Sequence, residues 1–504
     1  MKNINHKYGD LLYRRQFILA PHYINKFKNW QKANINNKYF LTVHPDLQLL
    51  QIKDNKKSLT LLGFILDPYN IDATDKDIIE DLHKKCQSSN DIFEHTNSMG
   101  GRWIIIFNNN DDIILFSDAS GLRQICHSNS LLDKDNIWCA SQPGIIADEN
   151  KLNFDKEVID DFINSPQFKN NKEYLWPGAT TPYKEIDQLL PNHYLDLKNN
   201  TVHRFWPDKI LKPISLEQGV KKSAEIIKNI IECATKRFDL VFTLTSGYDT
   251  RILLAASKDI SNKYPFLTLI YWNLSEEAPD VTISSKLLEK FGLKHEIIKC
   301  PVKMSKEFEE LYTKNVVTAH ISNGNIVEGL FNNYDDNKIC VRGTVSSEII
   351  REQYIDKVRK PCGKTFAQIA NFNNNKFAIK HFDKWVAEAK EYSEKYNVNI
   401  FELFGWEQQT GKWQAMTQLE WDIVQENIVP YNCRELITTM LAVDDKYRKP
   451  PDYPLYRAIA KYLWPETLSE PINPHKQTKK NKLKLKLRKL GLYPLFTEIF
   501  YKIK

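Results

Sequence analysis

The sequence has no C-x-x-C pair, no apolar run approaching the length of a membrane span, no fixed-period internal repeat and no strong excess of either charge. Each absence closes a class. The eight cysteines (Cys86, Cys126, Cys139, Cys233, Cys300, Cys340, Cys362 and Cys433) lie far apart. A zinc site or a disulfide framework clusters its cysteines, so these read as reduced thiols. A helical membrane span needs about 20 consecutive apolar residues, and the stretch Phe17-Ile18-Leu19-Ala20 is too short even for the core of a signal peptide. A cytoplasmic protein is expected. Seventy basic residues oppose 63 acidic ones, leaving a net charge of +7. On a chain of this size that mild excess does not imply a nucleic-acid partner.

What is present suits packed cores. Hydrophobic residues make up 42% and aromatic residues 12% of 504 residues, too long a chain for one typical domain. The first part reads as β-rich. The apolar run Trp103–Phe107, a turn cluster at Asn108–Asp112 and the run Ile113–Phe116 predict a hairpin, and Ile137–Ala140 predicts another strand. Helical patches fall at Asp77–Lys85 and Lys156–Ile163. The texture changes after Trp206-Pro207. A helix is predicted over Leu216–Thr235, then strand Leu240–Leu244, helix Arg251–Ser257, strand Phe266–Tyr271, helix Val281–Phe291 and strand His295–Lys299. Strands alternating with helices indicate a parallel sheet. From about residue 375 the chain reads as mostly helical, and the asparagine-rich patch Asn371–Asn375 reads as a loop.

The strongest local feature is Leu244-Thr245-Ser246-Gly247-Tyr248-Asp249-Thr250, where a buried strand runs through small hydroxylated residues straight into a helix. Such a turn presents backbone N–H groups at a helix N-terminus, a ready anion site. The hydroxyls of Thr245, Ser246 and Thr250 suit phosphate oxygens. Asp249 does not, unless a cation lies between, and Mg²⁺ takes one or two carboxylates together with phosphates. A plain strand–turn–helix junction with Asp249 as a cap has the same local pattern.

The segment resembles the S-G-G-x-D-S pyrophosphate loop of the glutamine-hydrolysing asparagine synthetase superfamily. Further matches follow in order. Ala278-Pro279-Asp280 with Gly292–Glu296 resembles the family's Pro-Asp helix ending in Leu-Gly-x-x-His. Val341–Glu348 falls on S-G-E-G-A-D-E, and Ile428–Leu436 resembles V-P-F-L-D-K. Tyr456-Arg457-Ala458 and Trp464-Pro465-Glu466 resemble the L-R-x-A and L-P-x segments. The resemblance implies ATP and Mg²⁺ as cofactors, a small-molecule carboxylate as substrate, activation of that carboxylate as an acyl-adenylate with release of pyrophosphate, and ammonia or a substrate amine as nucleophile. It implies that Thr245, Ser246, Gly247, Asp249 and Thr250 cradle the nucleotide, that Leu244, Tyr271 and Gly343 border it, and that Asp249 holds Mg²⁺. The second metal-binding Asp of the pattern falls at Ser347, an acid falls at Thr344 and the catalytic Lys falls near Asn473. Glu348 is therefore expected to act as the second metal ligand, and His475 or Lys476 as the cation.

Residues up to about 205 resemble the family's glutaminase domain. Thr74–Ile79, Gly100–Trp103 with Asp118–Arg123, Ala140–Pro143 and Thr180–Tyr194 match its helix start, hairpin, strand end and linker. The implied fold class is α/β: an N-terminal Ntn-type α/β/β/α sandwich (1–205), a parallel-sheet pyrophosphatase-loop domain of the adenine nucleotide α-hydrolase type (206–475), and a basic C-terminal extension (476–504). Glutamine hydrolysis in this family uses an N-terminal Cys activated by its own α-amine. Position two here is Lys2, and Cys126 and Cys139 are internal, so no glutaminase activity is expected. The run from Lys476 to Lys489 interleaves basic residues with leucines, which gives no clean helical face; it reads as a solvated extension, with anionic lipid, nucleic acid or an acidic partner as the alternative contact. A non-catalytic binding or scaffold descendant of the same fold is the competing reading. A pyrophosphatase-loop enzyme acting on tRNA is disfavoured, because such relatives lack the front domain.

Overall fold

The computed structural model describes residues 8–109, 112–272, 274–334, 337–351, 360–474 and Leu487. His475, Lys476 and the basic run lie outside the described residues. The front half is built on two six-stranded sheets. One contains β1 (Phe17–Ala20), β2 (Gln31–Asn34), β3 (Phe40–Val43), β8 (Cys126–Ser128), β9 (Cys139–Ala140) and β10 (Ile186–Gln188), in the order β10-β8-β9-β1-β3-β2. The other contains β4 (Leu49–Lys53), β5 (Ser58–Leu66), β6 (Gly100–Asn108), β7 (Ile113–Ser117), β11 (His193–Asp196) and β12 (Thr201–Arg204), in the order β12-β11-β7-β6-β5-β4. All pairings within them are antiparallel.

The continuous apolar run of β6 is explained by burial on both faces. Ile104 and Ile106 point into the core between the sheets, where they join Phe17, Leu19, Leu41 and Val43. Trp103, Ile105 and Phe107 point the other way, onto Ile78, Ile79 and Leu82 of the helix Asp75–Lys85. Side chains alternate along a strand, so two covered faces demand an unbroken hydrophobic run. On the far side of the first sheet, Ile18 and Ala20 pack against Ile145 and Ile146 of the helix Pro143–Asn150. The layers are helix, sheet, sheet, helix.

The second half holds a parallel sheet of β13 (Leu240–Thr243), β14 (Phe266–Ile270), β15 (His295–Lys299), β16 (Ile339–Val341) and β17 (Asn427–Ile428), ordered β15-β14-β13-β16-β17. Helices Tyr248–Ala256 and Pro279–Phe291 make the first two crossovers. The helix Leu216–Thr235 occupies the predicted span, closed at its start by a capping box of Ser215 and Gln218. Phe242 pairs with Phe266 on one side and Val341 on the other, so β13 is central and the connections leave it in opposite directions. In open sheets of this kind ligands bind at the carboxyl ends of the strands where the order reverses, here between β13 and β16.

Some local readings differ. The helical patch near residue 160 is a wider π-helix over Val158–Ile163, and a longer one spans Gly405–Gln414. Side-chain periodicity does not separate a π turn from an α turn over so few residues.

The two halves are joined by buried charge. Arg102 makes a bidentate pair with Asp422 at 2.7 and 2.8 Å, Arg123 adds a third contact at 3.3 Å and also bonds Glu426, and Arg15 donates to the Asp422 carbonyl at 2.7 Å. Burial works to raise the Asp422 carboxyl, but the Arg102 and Arg123 guanidiniums overcome it and hold it below the ordinary carboxylate range.

Candidate active site

The loop between β13 and the helix Tyr248–Ala256 is tied by its own side chains. The Thr245 N–H donates to Thr250 Oγ1 at 3.1 Å, and the two threonine hydroxyls meet at 3.0 Å. Ser246 gives both its N–H (2.9 Å) and its hydroxyl (2.6 Å) to Asp280, the acid of the Pro-Asp segment. Thr268 on β14 donates its hydroxyl to the Leu244 carbonyl at 2.8 Å. Gly247 is the N-cap of the helix and brings no side chain to cap it. The N–H groups of a first helical turn have no partner inside the helix, so these face outward at the switch point.

Asp249 is not a cap. It sits in the first turn, buried, and its carboxylate accepts from the Ser346 hydroxyl and from Arg351 Nη2 at 2.7 Å. Tyr431 donates to its carbonyl at 3.0 Å, and Tyr456 holds the Ser346 carbonyl at 3.1 Å. Burial opposes the Arg351 charge, and Asp249 more than offsets it, so the Arg351 pKa is raised.

The segment after β16 closes on this loop. A Cβ at Gly343 would stand 3.0 Å from the Thr250 backbone nitrogen, which is why a residue without one is needed where the two loops meet. Val345 has φ +80°, a conformation that costs a β-branched residue about 1–3 kcal/mol. The helix Ser346–Ile349 then starts and delivers Glu348, which is 8% exposed.

Glu348 Oε1 accepts from the Ser347 hydroxyl at 2.6 Å and from Gln414 Nε2 at 3.4 Å, while Oε2 is buried with no partner. Burial, with the Asp249 charge added to it, pushes the Glu348 carboxyl above its ordinary range, against the Ser347 hydrogen bond. Close by, the Arg342 guanidinium lies 3.8 Å from the centre of the Trp421 ring, and burial lowers its pKa to about 10. Arg342 Nη1, Thr344 Oγ1, Gln414 Oε1 and both polar atoms of the Gln418 amide are buried without partners. Buried polar groups are normally satisfied, so these open donors and acceptors leave room for polar partners other than protein, water among them.

The structure also locates the position where the resemblance expects a lysine. The Asn473 N–H donates to the Ser246 carbonyl at 3.0 Å, so this stretch does reach the loop, but it carries an amide. Arg351 is the cation bonded to Asp249. Tyr271 follows β14, and the first turn of its neighbouring crossover supplies Asp280. Among the described residues no group of three or more His, Cys, Asp or Glu is placed to hold a metal ion. The donor set is two neighbouring carboxylates, Asp249 and Glu348, one with an open oxygen. That suits a cation arriving with phosphates better than a resident one.

In the front half, β1 begins at Phe17, and residues 8–16 run ahead of it against the second half. The Tyr8 ring meets Phe308 and Phe331 at 5.8 and 5.3 Å, and the Tyr13 N–H donates to Asn315 Oδ1 at 2.6 Å. The first strand therefore starts at an internal peptide bond, without an α-amine. Burial pushes the Cys126 thiol up to about 12 and raises that of Cys139 as well, which disfavours either thiolate.

No family model matches the chain, and no curated protein matches it. Similar solved structures include glutamine phosphoribosylpyrophosphate amidotransferase from B. subtilis complexed with ADP and GMP, at 10% identity over 66% of this chain and 90% of that one with a TM-score of 0.25. They also include the NH3-dependent NAD synthetase of Campylobacter jejuni (11% identity, 38% of this chain, 81% of that one, TM-score 0.21) and NMN synthetase from Francisella tularensis (12%, 38%, 91%, 0.20). At these identities and scores the likeness carries no functional argument, and the α/β class rests on the sheets themselves: two antiparallel sheets in the front half and a parallel sheet behind them.

Proposed function

We propose that the chain is an ATP-dependent, amide-forming ligase of the asparagine-synthetase type, which activates a carboxylate as an acyl-adenylate, releases pyrophosphate and passes the acyl group to ammonia or a substrate amine. The observation that carries it is the meeting, at the switch point of the parallel sheet, of an uncapped helix start at Gly247 with two buried carboxylates, Asp249 and Glu348, and the half-buried Arg342. In this reading the first-turn N–H groups after Gly247 hold phosphate oxygens. Asp249 and Glu348 hold Mg²⁺, which when bound neutralises charge spreading onto pyrophosphate. Arg351 supplies the cation that the resemblance places near Asn473, facing the charge that develops as the acyl-adenylate forms. Arg342 and the open groups of Gln414 and Gln418 receive the carboxylate substrate.

The direct test is incubation with ATP, Mg²⁺ and candidate carboxylates, following pyrophosphate and AMP. Absence of pyrophosphate with every carboxylate, despite tight Mg·ATP binding, supports the scaffold reading instead. The raised pKa of Glu348 adds a pH signature. A carboxylate must be ionised to hold a cation, so activity should rise as pH climbs through that raised value. The Glu348→Gln variant should lose most activity and this limb of the profile together. An unchanged limb in the variant shows that another group titrates. Glutamine should yield no glutamate, with or without ATP, since β1 begins at an internal peptide bond and burial disfavours the thiolates of Cys126 and Cys139. Robust glutamate release abolished by a cysteine substitution overturns that expectation.

A further inference from the structure

A hollow of about 660 Å³ opens beside the Tyr271–Trp272 turn, where β14 and β15 end. Its volume lies within the range of small-molecule sites, roughly 300–1,000 Å³. Ten large hydrophobic side chains among the described residues are exposed, and three of them line this one hollow: Trp272 at 44%, Val302 at 88% and Ile321 at 50%. Scattered exposed hydrophobics need no explanation, but a cluster around a concavity does. The tryptophan is fixed rather than left loose. Its backbone lies in the left-handed region (φ 54°), its Nε1 donates to the Ser322 carbonyl at 3.2 Å, and its ring meets Tyr271 edge-on at 5.1 Å. Phe168 and Tyr174 of the front half extend the apolar wall.

The rim is positive. Lys169, Lys172 and Lys303 line the hollow against a single acid, Glu309, and none of the three lysines is ion-paired among the described residues. Apolar walls select an apolar body, and three ammonium groups against one carboxylate at the edge select an anionic group on it.

We propose that this hollow is a second small-molecule site, separate from Asp249 and Glu348, whose ligand is an organic anion: an aromatic or branched apolar body that stacks on Trp272 and carries a carboxylate or sulfonate at the lysine rim. The site does not depend on whether the chain activates carboxylates. It is tested on the full chain with 1-anilinonaphthalene-8-sulfonate as the anionic probe and N-phenyl-1-naphthylamine as its neutral counterpart, by fluorescence titration. Saturation at one site is expected for the anion. Trp272→Ala should weaken it by about tenfold, the effect of ~1.4 kcal/mol. Lys169→Gln, Lys172→Gln and Lys303→Gln combined should weaken the anion by about tenfold and the neutral probe hardly at all. All four residues are exposed, and an unchanged thermal midpoint confirms that the variants are folded. Anion binding unaffected by Trp272→Ala and by Ile321→Asp rejects the site. Equal loss of both probes in the lysine variant rejects the anionic class of ligand.

Discussion

Replacing Asp249 with asparagine is expected to lower ATP-dependent pyrophosphate release by on the order of 10²–10³-fold, the usual effect of deleting one preorganised charge-stabilising group. The substitution keeps the shape and the acceptor oxygen that takes the Ser346 hydroxyl, and it removes the charge that Arg351 faces. Two things fail together. ATP brings several negative charges to the turn after Leu244, and the carboxylate that would hold their cation is gone. Arg351, paired with Asp249 at 2.7 Å, also loses the partner that fixes its position. Its guanidinium is then free to bind phosphate, so Asp249→Asn should retain metal-free ATP binding while losing its dependence on Mg²⁺. Titrating ATP with and without Mg²⁺ separates these effects. Mg·ATP binding and pyrophosphate release that both survive the change would refute the role given to Asp249.

The second large effect is structural. Asp422→Ala should destabilise the junction of the two halves by about 3–5 kcal/mol, because it leaves the Arg102 charge buried without a counter-ion. Arg102 and Asp422 are 0% and 1% exposed, so solvent screens neither. Replacing the pair by a hydrophobic pair of similar volume should cost far less, since both desolvation penalties disappear with the charges. The pH dependence has a definite sign. The Asp422 carboxyl is depressed in the folded protein, so its contribution is present above the ordinary carboxylate value of about 4 and is lost as pH falls through the depressed folded value. Urea midpoints at neutral and acid pH should converge for the wild type and Asp422→Ala as acid removes the pair. A constant gap between them across that range shows that Asp422 acts through packing and not through charge.

The legible part of the fold was local in origin. Leu216–Thr235 was readable because its apolar residues recur at helical spacing. β6 and β7 were readable because an unbroken apolar run on either side of a polar turn cluster needs only neighbouring residues to show it. β2 and β4 were not, since their half-exposed, mixed composition has no pattern that stands out from a loop. The wider turns at Val158–Ile163 and Gly405–Gln414 were invisible for a different reason: tertiary packing, not side-chain period, sets where a helix widens.

The same division runs through the candidate site. The turn from Leu244 to Thr250 and the tight approach at Gly343 are written in residue types, because only small or hydroxylated residues suit a strand that turns directly into a helix. The pairing of Arg351 with Asp249, which are 102 residues apart, is not. Neither is the grip of Arg102 on Asp422 across 320 residues, nor the docking of Asn473 on Ser246. Chain order places no constraint on which of 70 basic and 63 acidic residues meet. The sheet order decides that by bringing the ends of β13 and β16 side by side, and burial then makes each meeting specific, because a charge removed from water must find a partner. Residue types dictate the turn that carries β13 into its helix, and the order of the strands settles which charges come to face that turn.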